Sequence, residues 1–279
     1  MHHKLNKDIG VGPTRALSLR VSVATLVRVL FRNPGDDSLM LALERKATQF
    51  SSEKGTVIEV KAQPFGGAIR ILDLKGIQDV TGTFNFDSDR SRLEGDFRIF
   101  IRPENWAPLR SFCIDHLNQA DDLLLETNPQ RELEEEFYDT LKIKITPNDY
   151  LCKPVTTILE ENPAPTDNIH ARGSPTTRVY RLFEAKITNP YLARAVLENS
   201  ERFSKGDLSN LALENARQVG KGRANAILAL PLQRLIHYYS SLSPKQRNSP
   251  VRYMENRLAE TVSALFDNIA IPKYLRLNT

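Results

Sequence analysis

The chain is poor in cysteine: Cys113 and Cys152 are the only two among 279 residues. Two thiols build no disulfide framework, which fits a reducing compartment such as the cytoplasm. Any apolar run approaching ~20 residues is missing too, so no membrane-spanning helix is expected. The opening stretch "MHHKLNKDIG" has no apolar segment of the kind a secretory leader needs. Internal repeats and low-complexity segments are absent. Lysine and arginine are scattered and the formal net charge is only +4. That balance admits anionic small ligands but argues against nucleic acid as a partner. With 41% apolar and 26% charged residues, the composition is that of a globular chain with a sizeable core, arranged as one large domain or two small ones.

Strand and helix patterns interleave, so the fold class is mixed α/β. "LSLRVSVATLVRVLF" (17–31) alternates and is rich in β-branched residues, which reads as one or two strands; "SLMLALERK" (38–46) returns as the second arm of a hairpin. "GTVIEVKAQPFGGAIRI" (55–71) carries another strand, broken at Pro64 and at the Gly66–Gly67 pair. Such a pair lets the backbone turn sharply or approach a ligand; an ordinary bulge is the plain alternative. Further strands are expected at 96–103, 141–146 and 175–188. Helices are expected within 104–126 and over 189–203, 207–220 and 224–242, the last with a proline near its middle or at its true start. A terminal helix is expected over 249–270, with Tyr253, Leu258, Val262, Leu265 and Phe266 on its apolar side. Cys113 and His116 lie three apart, a weak hint of zinc beside the simpler reading of a buried thiol.

The most informative stretch is "NPQRELEEEFYDTL" (128–141). Asn128 suits an N-cap and Pro129 the first helical position. At 100° per residue, Glu132, Glu135 and Glu136 share one arc, Leu133, Phe137 and Leu141 form an apolar arc, and Glu134 points elsewhere. Like charges one turn apart repel, and Arg131 is the only cation placed to pair with Glu135. Either the arc is a solvated acidic face or it is aimed at a metal ion.

In its surroundings this helix resembles the signature helix of the Nudix hydrolase superfamily. The Arg-Glu-apolar-any-Glu-Glu pattern is matched by Arg131, Glu132, Leu133, Glu134, Glu135 and Glu136, and the glycine pair ahead of it by Gly66 and Gly67. "VYRLFEAKI" and "LALPLQRLI" resemble the family's following strand and closing helix. The likeness covers roughly residues 17–242. Two positions depart from the pattern: Tyr138 stands where the family has a glycine, and Leu123 where it has an upstream glutamate, with Asp121, Asp122 and Glu126 nearby but out of register. A stretch of ~50 residues (72–127) lies between the glycine pair and the helix, too long for a structureless loop. The long insert and "PFGGA" resemble Nudix domains associated with bacterial nucleotide second-messenger (SMODS) systems.

The resemblance implies a Nudix-like α/β/α sandwich with a mixed sheet over 17–242, a subdomain inserted at 72–127, and extra C-terminal helices over 243–279. It implies Mg²⁺- or Mn²⁺-dependent cleavage of a phosphoanhydride in a nucleoside diphosphate linked to another moiety. Glu132, Glu135 and Glu136 would hold the metal, with Glu132 or Glu135 also acting in catalysis and Arg131 orienting them. The chemistry is sound in principle, because divalent ions neutralise a diphosphate and generate hydroxide near neutral pH. Gly66 and Gly67 would offer backbone N–H groups to phosphate, and Lys221 and Arg223, in a glycine-flanked loop just before an expected helix, would supply cations. Phe65, Trp106 and Tyr180 are candidates to stack a base, against the plain alternative of core residues. A reading of a different class is a catalytically impaired nucleotide sensor of a bacterial signalling or defence system. Its insertion and C-terminal helices would dock a protein partner or a second copy of the chain.

Overall fold

The computed structural model describes residues 9–266, apart from residues 15, 53, 54, 161, 167 and 169, and also residue 269. The first three strands are Leu19–Arg32 (β1), Leu39–Ser52 (β2) and Gly55–Gln63 (β3). Leu74–Thr81 (α1), Asn85–Phe86 (β4), Asp89–Glu94 (α2), Arg98–Ile101 (β5) and Trp106–Leu117 (α3) follow. Next come Gln130–Leu141 (α4), Tyr150–Leu159 (β6), Ala164–Pro165 (β7) and Pro175–Ile187 (β8). Pro190–Arg202 (α5), Lys205–Val219 (α6), Arg223–Pro231 (β9) and Leu232–Ser241 (α7) lead to a short helix, Pro244–Arg247 (α8). Val251–Tyr253 (β10), Asn256–Leu258 (β11) and a 3₁₀ turn, Glu260–Phe266, complete the described chain. The fold is mixed α/β with an open, largely antiparallel sheet; β11 runs parallel to β3. Among the described residues no helix is long and apolar enough to cross a membrane.

The chain clusters into two compact units. One holds the described residues through Leu26, Gly66–Pro129 and Val155–Leu182. Within it, Leu19–Ser22 of β1 pairs with β5, and β5 pairs with β4. Its core gathers Val21, Val23, Ile77, Phe84, Phe86, Phe97, Ile99, Leu109 and Leu117. Residues 72–127 are folded, and they supply most of that core.

The other unit holds Val27–Phe65, Gln130–Pro154 and the described residues from Phe183 onward. Here β2 pairs antiparallel with β3 over Glu44–Ser52 and with β9 over Met40–Thr48. The registers are unbroken, so even-numbered residues of β2 face one side and odd-numbered ones the other. On the even side Met40 and Ala42 pack with Leu133 and Phe137 of α4 and with Ile227 of β9. On the odd side Ala47, Val60, Ala224 and Ala226 pack with Leu208 and Ala212 of α6. Helices α4 and α6 therefore sandwich this part of the sheet. The outer edge of β9 is covered: Asn199 Oδ1 accepts the Ile227 N–H and Ser200 Oγ the Ala229 N–H, both at 2.8 Å. An edge strand capped by helix side chains is closed to pairing with another chain.

Three expected elements differ. Residues 142–146 are not a strand, because the chain leaves α4 through Lys142 at φ 60 and only Ile145 of the two isoleucines is buried. The stretch 224–231 is a strand and not the first half of a helix; its run of small apolar residues is buried on both faces of the sheet, and Pro231 marks the true helix start. Where a terminal helix is expected over 249–270, the chain forms the β10–β11 hairpin, turning at Met254 (φ 53), and then the 3₁₀ turn. Leu258 pairs with Ala62 of β3, so strand pairing wins over a helical spacing of apolar residues.

Candidate functional site

Helix α4 is amphipathic for the reason its sequence implies. Leu133 and Phe137 are buried, and Phe137 stacks on Phe65 with ring centroids 4.9 Å apart. Pro129 directly precedes the helix, and Tyr138 lies inside it, half-exposed, with the helix continuing to Leu141. The glycine of the family pattern would therefore fall in mid-helix here, where it would weaken the helix by about 1 kcal/mol relative to alanine.

The acidic arc is compensated by cations of the chain itself. Arg131 reaches Glu132 at 2.6 Å and Glu135 at 3.2 Å, and the Glu135 side chain is 59% exposed. The Gln130 amide donates to Glu134 at 2.6 Å. Glu136 turns toward the sheet, where Lys46 Nζ lies 3.6 Å from its Oε1. The same ammonium lies 2.5 Å from Glu44 Oε2. Glu44 and Lys46 are two apart on β2 and so share the even face, the face on which α4 packs. Burial alone would lower the Lys46 pKa; Glu44 and then Glu136 outweigh it, and the pKa rises above its ordinary value.

Glu44 is a residue that sequence reasoning missed. Its side chain is 1% exposed; Oε2 also accepts from the Gln63 amide at 3.2 Å, while the buried Oε1 has no hydrogen-bond partner. A bare carboxylate oxygen away from water is costly. The signal in the sequence is slight. "LALERK" is an apolar strand that takes on a carboxylate and an ammonium at same-face positions, and nothing local says that the pair is covered by a helix.

The remaining expected site residues divide between the units. Lys221 and Arg223 belong with β2 and α4, but Lys221 precedes β9 and Arg223 opens it, and both follow the C-terminal end of α6, which Gly220 closes at φ 70. That end of a helix carries negative partial charge, so the helix-terminus argument for phosphate does not apply here. Arg223 faces Thr48 across the β2–β9 pair, four residues from Glu44 and so ~13 Å along the strand. Lys61 faces Lys46 across the β2–β3 pair and reaches Glu260 at 3.3 Å. Lys46, Lys61 and Arg223 thus share one sheet face.

Gly66 and Gly67 lie in the other unit. Gly66 has φ 126, and a Cβ there would stand 2.2 Å from the Thr25 carbonyl oxygen; Thr25 N–H donates to the Gly67 carbonyl at 2.9 Å. The glycine requirement is met by close backbone approach to β1. The nearby Asp122 is committed to structure: Oδ1 accepts the Leu124 and Leu125 N–H groups at 2.8 Å, and Oδ2 meets His116 Nδ1 at 2.7 Å. Leu123 is 86% exposed. Cys113 is a buried thiol, its pKa pushed up to about 12 by burial, and such a thiol is a poor zinc ligand. Phe65 and Tyr180 are buried and Trp106 is packed against the core, which is the plain reading of all three.

No protein-family model and no curated protein matches this chain. Among the described residues no group of three or more histidines, cysteines or acidic residues is arranged to hold a metal. Glu132 and Glu135 are drawn together by Arg131, whereas Glu136 shares Lys46 with Glu44. The residues as they stand do not fit a divalent ion.

Proposed function

We propose that the chain is a Nudix-like nucleotide-binding domain, catalytically impaired with its carboxylates as arranged. Its ligand is a nucleoside diphosphate joined to another group, read in a signalling or defence setting. The observation that carries this reading is the partial compensation of the acidic arc by Arg131, and by Lys46, which Glu136 shares with Glu44. An uncompensated arc would repel a diphosphate, and hydrolases reverse that repulsion with divalent ions. Here two side-chain cations offset part of it, and Arg223 shares the same sheet face, as does Lys61 beside Glu260. A second reading, Mg²⁺- or Mn²⁺-dependent hydrolysis of the same phosphoanhydride, is favoured by the Arg131 contacts with Glu132 and Glu135, the pairing that the family resemblance leads one to expect. The test is thermal unfolding with ADP-ribose, a dinucleotide and a modified triphosphate, each in EDTA and in Mg²⁺, with phosphate release followed in parallel. Binding predicts a rise in Tm in EDTA, roughly 5–10 °C at a hundredfold excess over Kd, without product. Product formation that needs Mg²⁺ selects the hydrolase, and no shift with any ligand defeats both.

A further inference from the structure

The geometry points to Lys46 as a resident cation: its ammonium occupies the position between Glu44 and Glu136 that a divalent ion would otherwise take, and so closes a latent metal site. The inference rests on β2 and α4 alone and stands apart from the nucleotide reading. Three observations carry it. One ammonium is shared by two carboxylates from different elements, at 2.5 Å from Glu44 and 3.6 Å from Glu136. Glu44 is almost wholly buried, with Oε1 unpartnered, so this carboxylate retains a ligating atom that nothing in the described chain uses. The Lys46 side chain is 35% exposed, so the site is not wholly sealed from solvent.

A divalent ion at that point could take one or both oxygens of Glu44, an oxygen of Glu136, and the Gln63 carbonyl oxygen once its amide is turned about. Waters would complete the shell, as they commonly do for Mg²⁺. Lys46 prevents this in two ways. It fills the space between the carboxylates, and its charge repels a second cation at short range. Removing the ammonium should open the site, and methionine, one atom shorter than lysine, keeps an apolar stem while vacating the position of Nζ between the two carboxylates.

The experiment is a Mn²⁺ titration of the EDTA-stripped full chain, with no nucleotide present, read by the electron-spin signal of free Mn²⁺. Wild type is expected to show no saturable site. Lys46→Met should gain about one site per chain, tighter than anything in wild type by about tenfold or more, within the range over which a single supporting group changes metal affinity. Adding Glu44→Gln to Lys46→Met should abolish the gain, and Lys46→Arg should keep the site closed. If Lys46→Met does not fold, Lys46→Gln is read in the same way. The inference is overturned if wild type already binds Mn²⁺ as tightly as the variant and Glu44→Gln removes that binding. It is overturned equally if the folded variant gains no site, or if the gained site survives loss of Glu44. Because no nucleotide is used, failure here leaves the nucleotide reading intact, and failure to bind nucleotide leaves this one.

Discussion

Each unit buries a carboxylate beside a basic side chain, and the two are finished to different degrees. In one unit Asp87 Oδ2 accepts from Arg20 Nε at 3.0 Å and from NH2 at 2.6 Å, while Oδ1 accepts the Ser88 and Ser91 hydroxyls at 3.1 and 2.6 Å. Both oxygens are occupied and both partners are buried, at 3% and 1% exposure. In the other unit Glu44 is buried just as deeply, yet one of its oxygens is bare. Burial is the same; satisfaction is not. A completed buried ion pair is a structural device, whereas an incomplete one carries a cost that a purely structural position would be expected to shed. The contrast marks Glu44, and not Asp87, as the carboxylate with chemistry in reserve.

The largest effect should come from breaking the finished pair. Asp87→Ala leaves the Arg20 guanidinium buried with no counter-charge and strips the acceptor from two hydroxyls. A loss of about 3–5 kcal/mol in urea unfolding is expected, the scale for an orphaned buried charge. Burial already pulls the Arg20 pKa below its ordinary value despite the adjacent Asp87, which is the direction that desolvation of the cation requires. A loss under about 1 kcal/mol would mean that Arg20 finds water when Asp87 is gone, and the contrast between the two sites would collapse.

Glu44→Gln should be milder, at about 1–2 kcal/mol, in the range of one charge-assisted hydrogen bond. Lys46 keeps Glu136, so its ammonium is not left without a counter-charge. The measurement is again urea unfolding, in EDTA so that no metal contributes. A cost equal to that of Asp87→Ala would place Glu44 among the structural pairs.

Much of this arrangement was legible in the sequence. The alternation in β1, β2 and β8 is plain, and α5 and α6 match the helices expected over 189–203 and 207–220 to within two residues. Arg131 pairing with Glu135 followed from helical spacing alone. Two of the three misses share a cause. Residues 224–231 and 251–266 are apolar at spacings that suit either a strand or a helix, and tertiary pairing with β2 and β3 decided between them. The partner of Glu136 was out of reach for a deeper reason. Lys46 lies ninety residues away in the chain, and local pattern carries no information on which helix covers which strand.

A third carboxylate separates occupancy from burial. Asp149 is only half-buried, yet it is fully engaged: Oδ2 accepts the Thr146 N–H at 2.8 Å and its hydroxyl at 2.9 Å, and Oδ1 accepts the Asn189 amide at 2.7 Å. The Asn189 amide first, and then the Thr146 groups, hold its pKa below the ordinary carboxylate value. With the folded pKa below the unfolded one, the charge-linked stability is present above about pH 4 and is lost as the pH falls through the folded value. Asp149→Asn keeps the shape and removes the charge, and solvent screening limits its cost to about 0.5 kcal/mol at pH 7. Urea unfolding of both proteins at pH 7 and at pH 3 should show that difference shrinking in acid. An undiminished gap at pH 3 would assign the effect to hydrogen-bond geometry and not to charge, and occupancy alone would then fail to explain why Asp87 and Glu44 differ.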